Sequence, residues 1–213
     1  MMTEELVFYT NPMSRGRIAR WMLEETGVPY RTEIKTFDGT IKGTDYLSVN
    51  PMGKVPAISH RGTIVTECAA ICAYLADTFP EKELAPRPKE RGAYYRWMFF
   101  AAGPLESVVT IRMLGFVTPA DKARSVGYGS FGDVMDTLEK AVTDNPYIAG
   151  DRFTAADVYV GSHIGWGLNF GSLEQRPAFA DYLGRVANRD AYRRANALDD
   201  EAMQDMQLNA HSH

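Results

Sequence analysis

Two stretches carry residue types whose spacing could do chemistry: Asn50-Pro51-Met52-Gly53-Lys54-Val55-Pro56-Ala57-Ile58 and, about ten residues later, Thr66-Glu67-Cys68-Ala69-Ala70-Ile71. The first is a turn that leads into a short apolar run with a proline inside it. Proline cannot donate to a strand ladder, so Pro56 belongs at a sheet edge, a strand start or a bulge. The Val55-Pro56 bond can be cis at modest cost. A cis bond would turn the Val55 N–H and C=O away from the sheet, towards an outside ligand. The second stretch sets an acid, Glu67, and a small polarisable residue, Cys68, just ahead of an apolar helical pattern. Helix N-termini favour anions. Strand edge, carboxylate and helix start together suit a short peptide with a free amino group and a carboxylate.

A scaffold must hold these parts. Leu6-Val7-Phe8-Tyr9 is a short β-prone run, broken by the turn residues Thr10-Asn11-Pro12-Met13-Ser14. Arg15 to Thr26 reads as a helix with Ile18, Ala19, Met22 and Leu23 on one side and Gly27 as its stop. Tyr30 to Lys35 alternates as a second strand. Phe37 to Val49 is loop plus a short helix. Val55 to Ser59 and Thr63 to Val65 form a hairpin about the turn His60-Arg61-Gly62. Glu67 to Phe79 is a helix with Ala70, Ile71, Tyr74 and Leu75 facing inward. The order β-α-β-α-β-β-α describes a small α/β domain over residues 1–80.

Residues 81–88, rich in proline, are the candidate linker, and residues 89–213 lack strand alternation. Lys89 to Met113 reads as one long helix bent near Gly103-Pro104. Asp121 to Thr143 reads as a second helix, weakened by glycines in its first half. Thr154 to about Gly167, Arg176 to Asn188 and Asp190 to Ala197 complete an all-helical bundle, followed by a polar tail. Thr154-Ala155-Ala156-Asp157 fits a capping box, flanked by Phe153 and Val158 as a hydrophobic staple would need. Asp157 is therefore read as a structural cap rather than a catalytic acid.

Composition excludes several function classes. The chain has 213 residues, 45% hydrophobic and 23% charged, so a core can form without disulfides. A net charge of −4 and scattered basic residues argue against nucleic-acid binding. No apolar run is long enough to span a membrane, and the acidic start Met1-Met2-Thr3-Glu4-Glu5 is unlike a signal peptide. The two cysteines, Cys68 and Cys72, lie on one helix face, where a disulfide does not fit. A reducing, cytoplasmic setting follows. His60, His163, His211 and His213 have no metal-like spacing to them, so no metal is expected.

Asn50-Pro51-x-Gly53-Lys54-Val55-Pro56 with Glu67-Cys68, then Gly150-Asp151-x-Phe153-Thr154-x-Ala156-Asp157 in a helical second half, resembles the cytosolic glutathione S-transferases over nearly the whole chain. Tyr9 to Arg15 resembles the serine-type bacterial and plant branches. The resemblance implies a thioredoxin-like N-terminal domain, an all-α C-terminal domain, a homodimer, a detoxification role, and glutathione as co-substrate. It implies that Val55, before Pro56, pairs with the cysteinyl part of glutathione. It implies that Glu67 and Cys68 hold the γ-glutamyl end and that Lys42 and Lys54 reach the glycine carboxylate. Ser14 stands where the thiol-activating hydroxyl is expected, with Tyr9 and Asn11 as alternatives. Cys68 departs from the serine usual in the family, and a thiol is a weaker donor.

A free thiol ionises near pKa ~8.5, so a hydroxyl aimed at the sulfur helps form the thiolate. That thiolate would attack a hydrophobic electrophile, with Met113, Phe116, Trp166 and Phe170 as candidate wall residues. Glutathione-dependent peroxide or disulfide reduction is the alternative activity, and a non-catalytic binding module is the alternative class, since the fold serves both. The loop after the first strand holds no cysteine, which argues against disulfide exchange by a protein thiol.

Overall fold

The computed structural model describes residues 5–210. The acidic start and the histidines at 211 and 213 fall outside the described residues, apart from Glu5. Packing divides the chain into two compact units, residues 1–82 with 189–213, and residues 83–188.

The first unit is built on a four-stranded mixed sheet of order β2-β1-β3-β4, with β1 Leu6–Thr10, β2 Arg31–Ile34, β3 Ala57–His60 and β4 Thr63–Thr66. β2 runs parallel to β1 and β3 antiparallel to it. The parallel pair is joined through α1, Gly16–Thr26, as a parallel connection requires. Gly27 ends α1 at φ 63°, the left-handed cap its sequence called for. The β3–β4 hairpin turns through Arg61 and Gly62, both at positive φ. Strand alternation sends Phe8 and Tyr9 to opposite faces. Phe8 meets the Arg20 guanidinium of α1, 5.2 Å from the ring centre. Tyr9 meets Tyr46 of the short α2, Thr44–Leu47, at 5.5 Å. α3, Cys68–Thr78, packs beside α1. Its buried face is Cys68, Ile71, Cys72, Leu75 and Ala76, whereas Ala70, expected inside, is exposed. The buried stripe is set by the side that α3 turns to α1 and the sheet.

α9, Asp190–Ala210, belongs to this unit and lies along α1. It replaces the expected short helix to Ala197 and polar tail. Its buried positions are Ala191, Ala195 and Asp199, small or charged residues that carry no hydrophobic periodicity.

The second unit is helical: α4 Gly92–Phe100, α5 Glu106–Met113, α6 Phe131–Asp144, α7 Ala155–Phe170 and α8 Pro177–Val186. α4 and α5 join through a wide π-turn at Ala101–Leu105 that absorbs Pro104, so the expected bend is a change of winding. The helix expected from Asp121 begins only at Phe131, where Ser130 and Asp133 form a capping box; residues 120–125 form a 3₁₀ segment instead. At α7, Thr154 and Asp157 cap reciprocally, as the sequence indicates. Asp157 is sealed from solvent and also accepts the Ile148 N–H (2.7 Å) and the Tyr182 hydroxyl (2.8 Å). Burial raises its pKa, against the pull of these donors. Asp157 thus ties a loop, a helix start and α8 together.

Candidate functional site

The loop between β1 and α1 is fixed from within. Asn11 is fully buried; its Nδ2 donates to the Lys35 carbonyl (2.8 Å) and its Oδ1 accepts the Met13 N–H (2.9 Å). The Asn11 carbonyl accepts both the Ser14 N–H (3.1 Å) and the Ser14 hydroxyl (2.6 Å). Ser14 Oγ in turn accepts the Gly16 N–H at 2.9 Å. The half-buried Ser14 hydroxyl therefore stands at the N-terminus of α1 in one defined orientation. A Cβ at Gly16 would fall 1.9 Å from Thr10 Oγ1, so only glycine lets α1 start this close to the end of β1. Asn11, an alternative donor by sequence, is sealed in the loop and acts as its anchor.

Tyr9, the other alternative, packs in a cluster with Ile41, Tyr46 and Ala57. The Lys35 ammonium lies 5.3 Å from its ring centre. Burial, then the Glu33 carboxylate, raises the Tyr9 pKa, so this hydroxyl holds its proton. Tyr46, pushed up to about 12 by burial, donates to the Lys54 carbonyl at 2.6 Å.

That carbonyl also accepts Asn50 Nδ2 (2.8 Å), and the Met52 N–H donates to Asn50 Oδ1 (3.1 Å), which locks the turn Asn50–Lys54. Gly53 is at φ 57°, and a Cβ there would lie 2.8 Å from the Ile41 carbonyl and from Lys42 Nζ. Lys42 folds over the turn and donates to the Met52 carbonyl at 2.7 Å. The Lys54 side chain is exposed. The Val55-Pro56 bond is cis, and the paired register of β3 begins at Ala57, so Val55 stands ahead of the ladder.

Glu67 is exposed at φ 67°, ψ 122° and makes no side-chain cap for α3. The first helical bond runs from the Ile71 N–H to the Glu67 carbonyl (2.9 Å). The N–H groups of Cys68, Ala69 and Ala70 precede it, as at every helix start. Cys68 is 8% exposed, and its Sγ points at the Arg15 carbonyl, 3.5 Å away. The start of α3 is thus set beside the start of α1 and the Ser14 loop. Cys72 is fully buried, and burial pushes its thiol pKa well up, which makes it inert. Among the described residues no group of three or more His, Cys, Asp or Glu could hold a metal ion. His60 Nδ1 lies 3.0 Å from the Tyr74 hydroxyl.

In the second unit Met113 and Phe116 are exposed at and just beyond the end of α5. Trp166 is half-buried on α7, and Phe170 is exposed at its end. None of the helices among the described residues is long and apolar enough to cross a membrane.

Residues 13–78 match the glutathione S-transferase N-terminal domain, and residues 130–190 match the glutathione S-transferase C-terminal domain. A curated relative from Escherichia coli O157:H7, glutathione S-transferase GstA, is 32% identical over 154 residues, which span 69% of this chain and 74% of the relative. The chain belongs to the glutathione S-transferase family. Among solved structures, a glutathione transferase from Methylococcus capsulatus str. Bath is 26% identical with a TM-score of 0.75, covering 92% of this chain and 98% of its own. A sphingomonad glutathione S-transferase complexed with glutathione is 25% identical with a TM-score of 0.74, covering 91% and 98%. The mixed sheet followed by a helical domain is the fold of these glutathione S-transferases, with a thioredoxin-like N-terminal domain. Missing from the sequence reading of this family member is Arg17, whose spacing with Arg15 and Arg20 looks like a solvated face. Its guanidinium reaches back to the Pro12 carbonyl at 2.7 Å.

Proposed function

We propose that the chain is a glutathione transferase of the serine type, in which Ser14 stabilises the thiolate of glutathione for attack on an apolar electrophile. The contact between Cys68 Sγ and the Arg15 carbonyl carries this reading, because it sets the start of α3 next to the loop that bears Ser14. The donor set fits glutathione, which has one ammonium, two carboxylates and a thiol. Glu67 supplies an exposed carboxylate for the ammonium. The N–H groups at the start of α3 supply an anion site for the γ-glutamyl carboxylate. With the Cys68 thiol turned to Arg15, these backbone donors take the part that a serine hydroxyl would share. Lys54 and Lys42, on either side of the locked turn, receive the glycine carboxylate. Val55, ahead of the β3 ladder, offers its N–H and C=O to the cysteinyl residue.

Ser14 now donates to the Asn11 carbonyl and accepts from the Gly16 N–H. Turning the hydroxyl proton from Asn11 to the sulfur exchanges one hydrogen bond for a charge-assisted one, which is the stronger. The Gly16 N–H holds the oxygen in place meanwhile, and the N-terminus of α1 favours the negative sulfur. The exposed Met113 and Phe116 offer apolar surface suited to an apolar electrophile. Family likeness also supports a homodimer, which sedimentation would read.

Conjugation of glutathione to a chloronitrobenzene electrophile tests the assignment. Ser14→Ala should lower kcat by about 100-fold or more, the scale of losing one preorganised donor, and Tyr9→Phe should change it little. Collapse in Tyr9→Phe with Ser14→Ala unaffected would reverse the assignment. Failure to bind immobilised glutathione would remove the enzyme reading altogether.

A further inference from the structure

Arg17 lies on the first turn of α1, yet its side chain joins two elements far apart in sequence. Nε donates to the Pro12 carbonyl (2.7 Å), in the middle of the Ser14 loop. One terminal nitrogen donates to Asp200 Oδ1 (2.7 Å) and the other to Asn196 Oδ1 (3.4 Å), both on α9. Asp199 and Arg20, an ion pair at 2.8 Å, lie beside it on the same two helices. The loop has a second anchor on its other side, the Asn11 amide on the Lys35 carbonyl. The Ser14 hydroxyl follows the two anchored residues Asn11 and Pro12 in the same loop, and its own partners are Asn11 and Gly16.

We infer that Arg17 is a positioning residue for the thiol-activating hydroxyl, and that α9 is part of the active-site scaffold through it. The planar guanidinium suits this task, because it donates in three directions from one rigid fork. Asp200 and Asn196 fix that fork, the fork fixes the Pro12 carbonyl, and the loop then presents Ser14 in one orientation. A displacement of the order of 1 Å at such a group costs up to about 100-fold in rate. The inference rests on the assignment of Ser14 made above.

A rival role for Arg17 is a plain positive charge that lowers the thiol pKa from a distance. The two roles give opposite signs at Asp200. Under positioning, Asp200→Asn loosens the fork, so the pH profile of kcat at saturating glutathione moves to higher pH. Under a plain charge role, Asp200→Asn unmasks the positive charge and moves the profile to lower pH. Asp200 is half exposed, so this variant keeps the fold.

The experiment therefore measures kcat, KM for glutathione and the pH profile for Arg17→Met, Arg17→Lys and Asp200→Asn, each with and without Ser14→Ala, with thermal melts alongside. We expect Arg17→Met to lower kcat between about 10- and 100-fold with little change in KM. Arg17→Lys keeps the charge but should not rescue. In the Ser14→Ala background, neither Arg17 substitution should cause further loss. A shift to lower pH in Asp200→Asn, full rescue by Arg17→Lys, or an undiminished Arg17→Met effect in the Ser14→Ala background each overturns the positioning role while leaving Ser14 as the activator. A silent Ser14→Ala removes the activator and the positioning role together.

Discussion

At Glu67 the backbone sits at φ 67°, ψ 122°, where residues with a side chain are rarely found. Such a conformation costs about 1–3 kcal/mol and persists where the surroundings fix it, most often at functional sites. Glycine would remove most of that strain, offset by about 0.5–1 kcal/mol from a freer unfolded chain. Glu67→Gly should therefore melt at or above the temperature of the native chain while binding glutathione more weakly. Glu67→Ala should lose the same affinity and gain no stability, since its Cβ keeps the strain. A glycine variant that melts below the alanine variant would show that the strain at φ 67° is smaller than the freedom glycine adds to the unfolded chain. Turn residues ahead of an apolar helical pattern make the Ser14 and Glu67 helix starts readable from the sequence. Their partners are not readable. Asn11 finds the carbonyl of Lys35, and Arg17 finds Asp200 at the other end of the chain, distances that no local pattern encodes.

α1 and α9 run antiparallel with complementary charge. Arg17 meets Asp200, Arg20 meets Asp199, Glu24 meets Arg194 and Glu25 meets Arg189, while Trp21 packs edge-on against Tyr192 at 4.8 Å. The more exposed pairs, Arg17–Asp200 and Glu24–Arg194, contribute at most about 1 kcal/mol each. Arg20–Asp199 differs because both side chains are buried, at 4% and 0% exposure, and desolvation can outweigh the attraction of such a pair. Asp199 Oδ2 has no hydrogen-bond partner among the described residues, and burial raises the Asp199 pKa in spite of Arg20. The folded chain then holds this proton more tightly than the unfolded chain does. Its contribution to stability is full below the ordinary carboxylate pKa and is lost as pH rises through the raised value. Asp199→Asn carries a side chain that is neutral throughout. The melting temperature of the native chain should thus fall relative to the variant as pH rises from about 4 towards neutrality. A gap that instead moves in favour of the native chain would show that Arg20 rather than burial sets this carboxyl. The extent of α9 is hidden in sequence because its inward positions are alanine and aspartate, which carry no hydrophobic periodicity. The strands, the β3–β4 hairpin and the α7 cap depend on residues within a few positions of each other, and those elements are legible.

At the scale of the whole molecule, the sheet unit is discontinuous in sequence, because the described residues from 189 onward pack with those up to 82 while residues 83–188 form the other unit. Linear order and folding partnership therefore diverge. The buried surface that α9 covers belongs to α1, near the start of the chain, and includes Trp21. The core of the second unit, with Val158, Ile164, Phe179, Tyr182 and Val186 fully buried, is made between residues 83 and 188. Local opening follows packing rather than sequence neighbourhood, so removal of one element should be felt where its contacts were. A chain ended after Asn188 is expected to lose amide hydrogen-exchange protection in α1 and in the Ser14 loop. α6, α7 and α8 should keep theirs, although α8 immediately precedes the cut. Adding a peptide of residues 189–210 in trans should restore protection in α1. Exchange that spreads first into α8 and α7, with α1 unchanged, would mean that α9 is held by its sequence neighbours and that the sheet unit is complete without it.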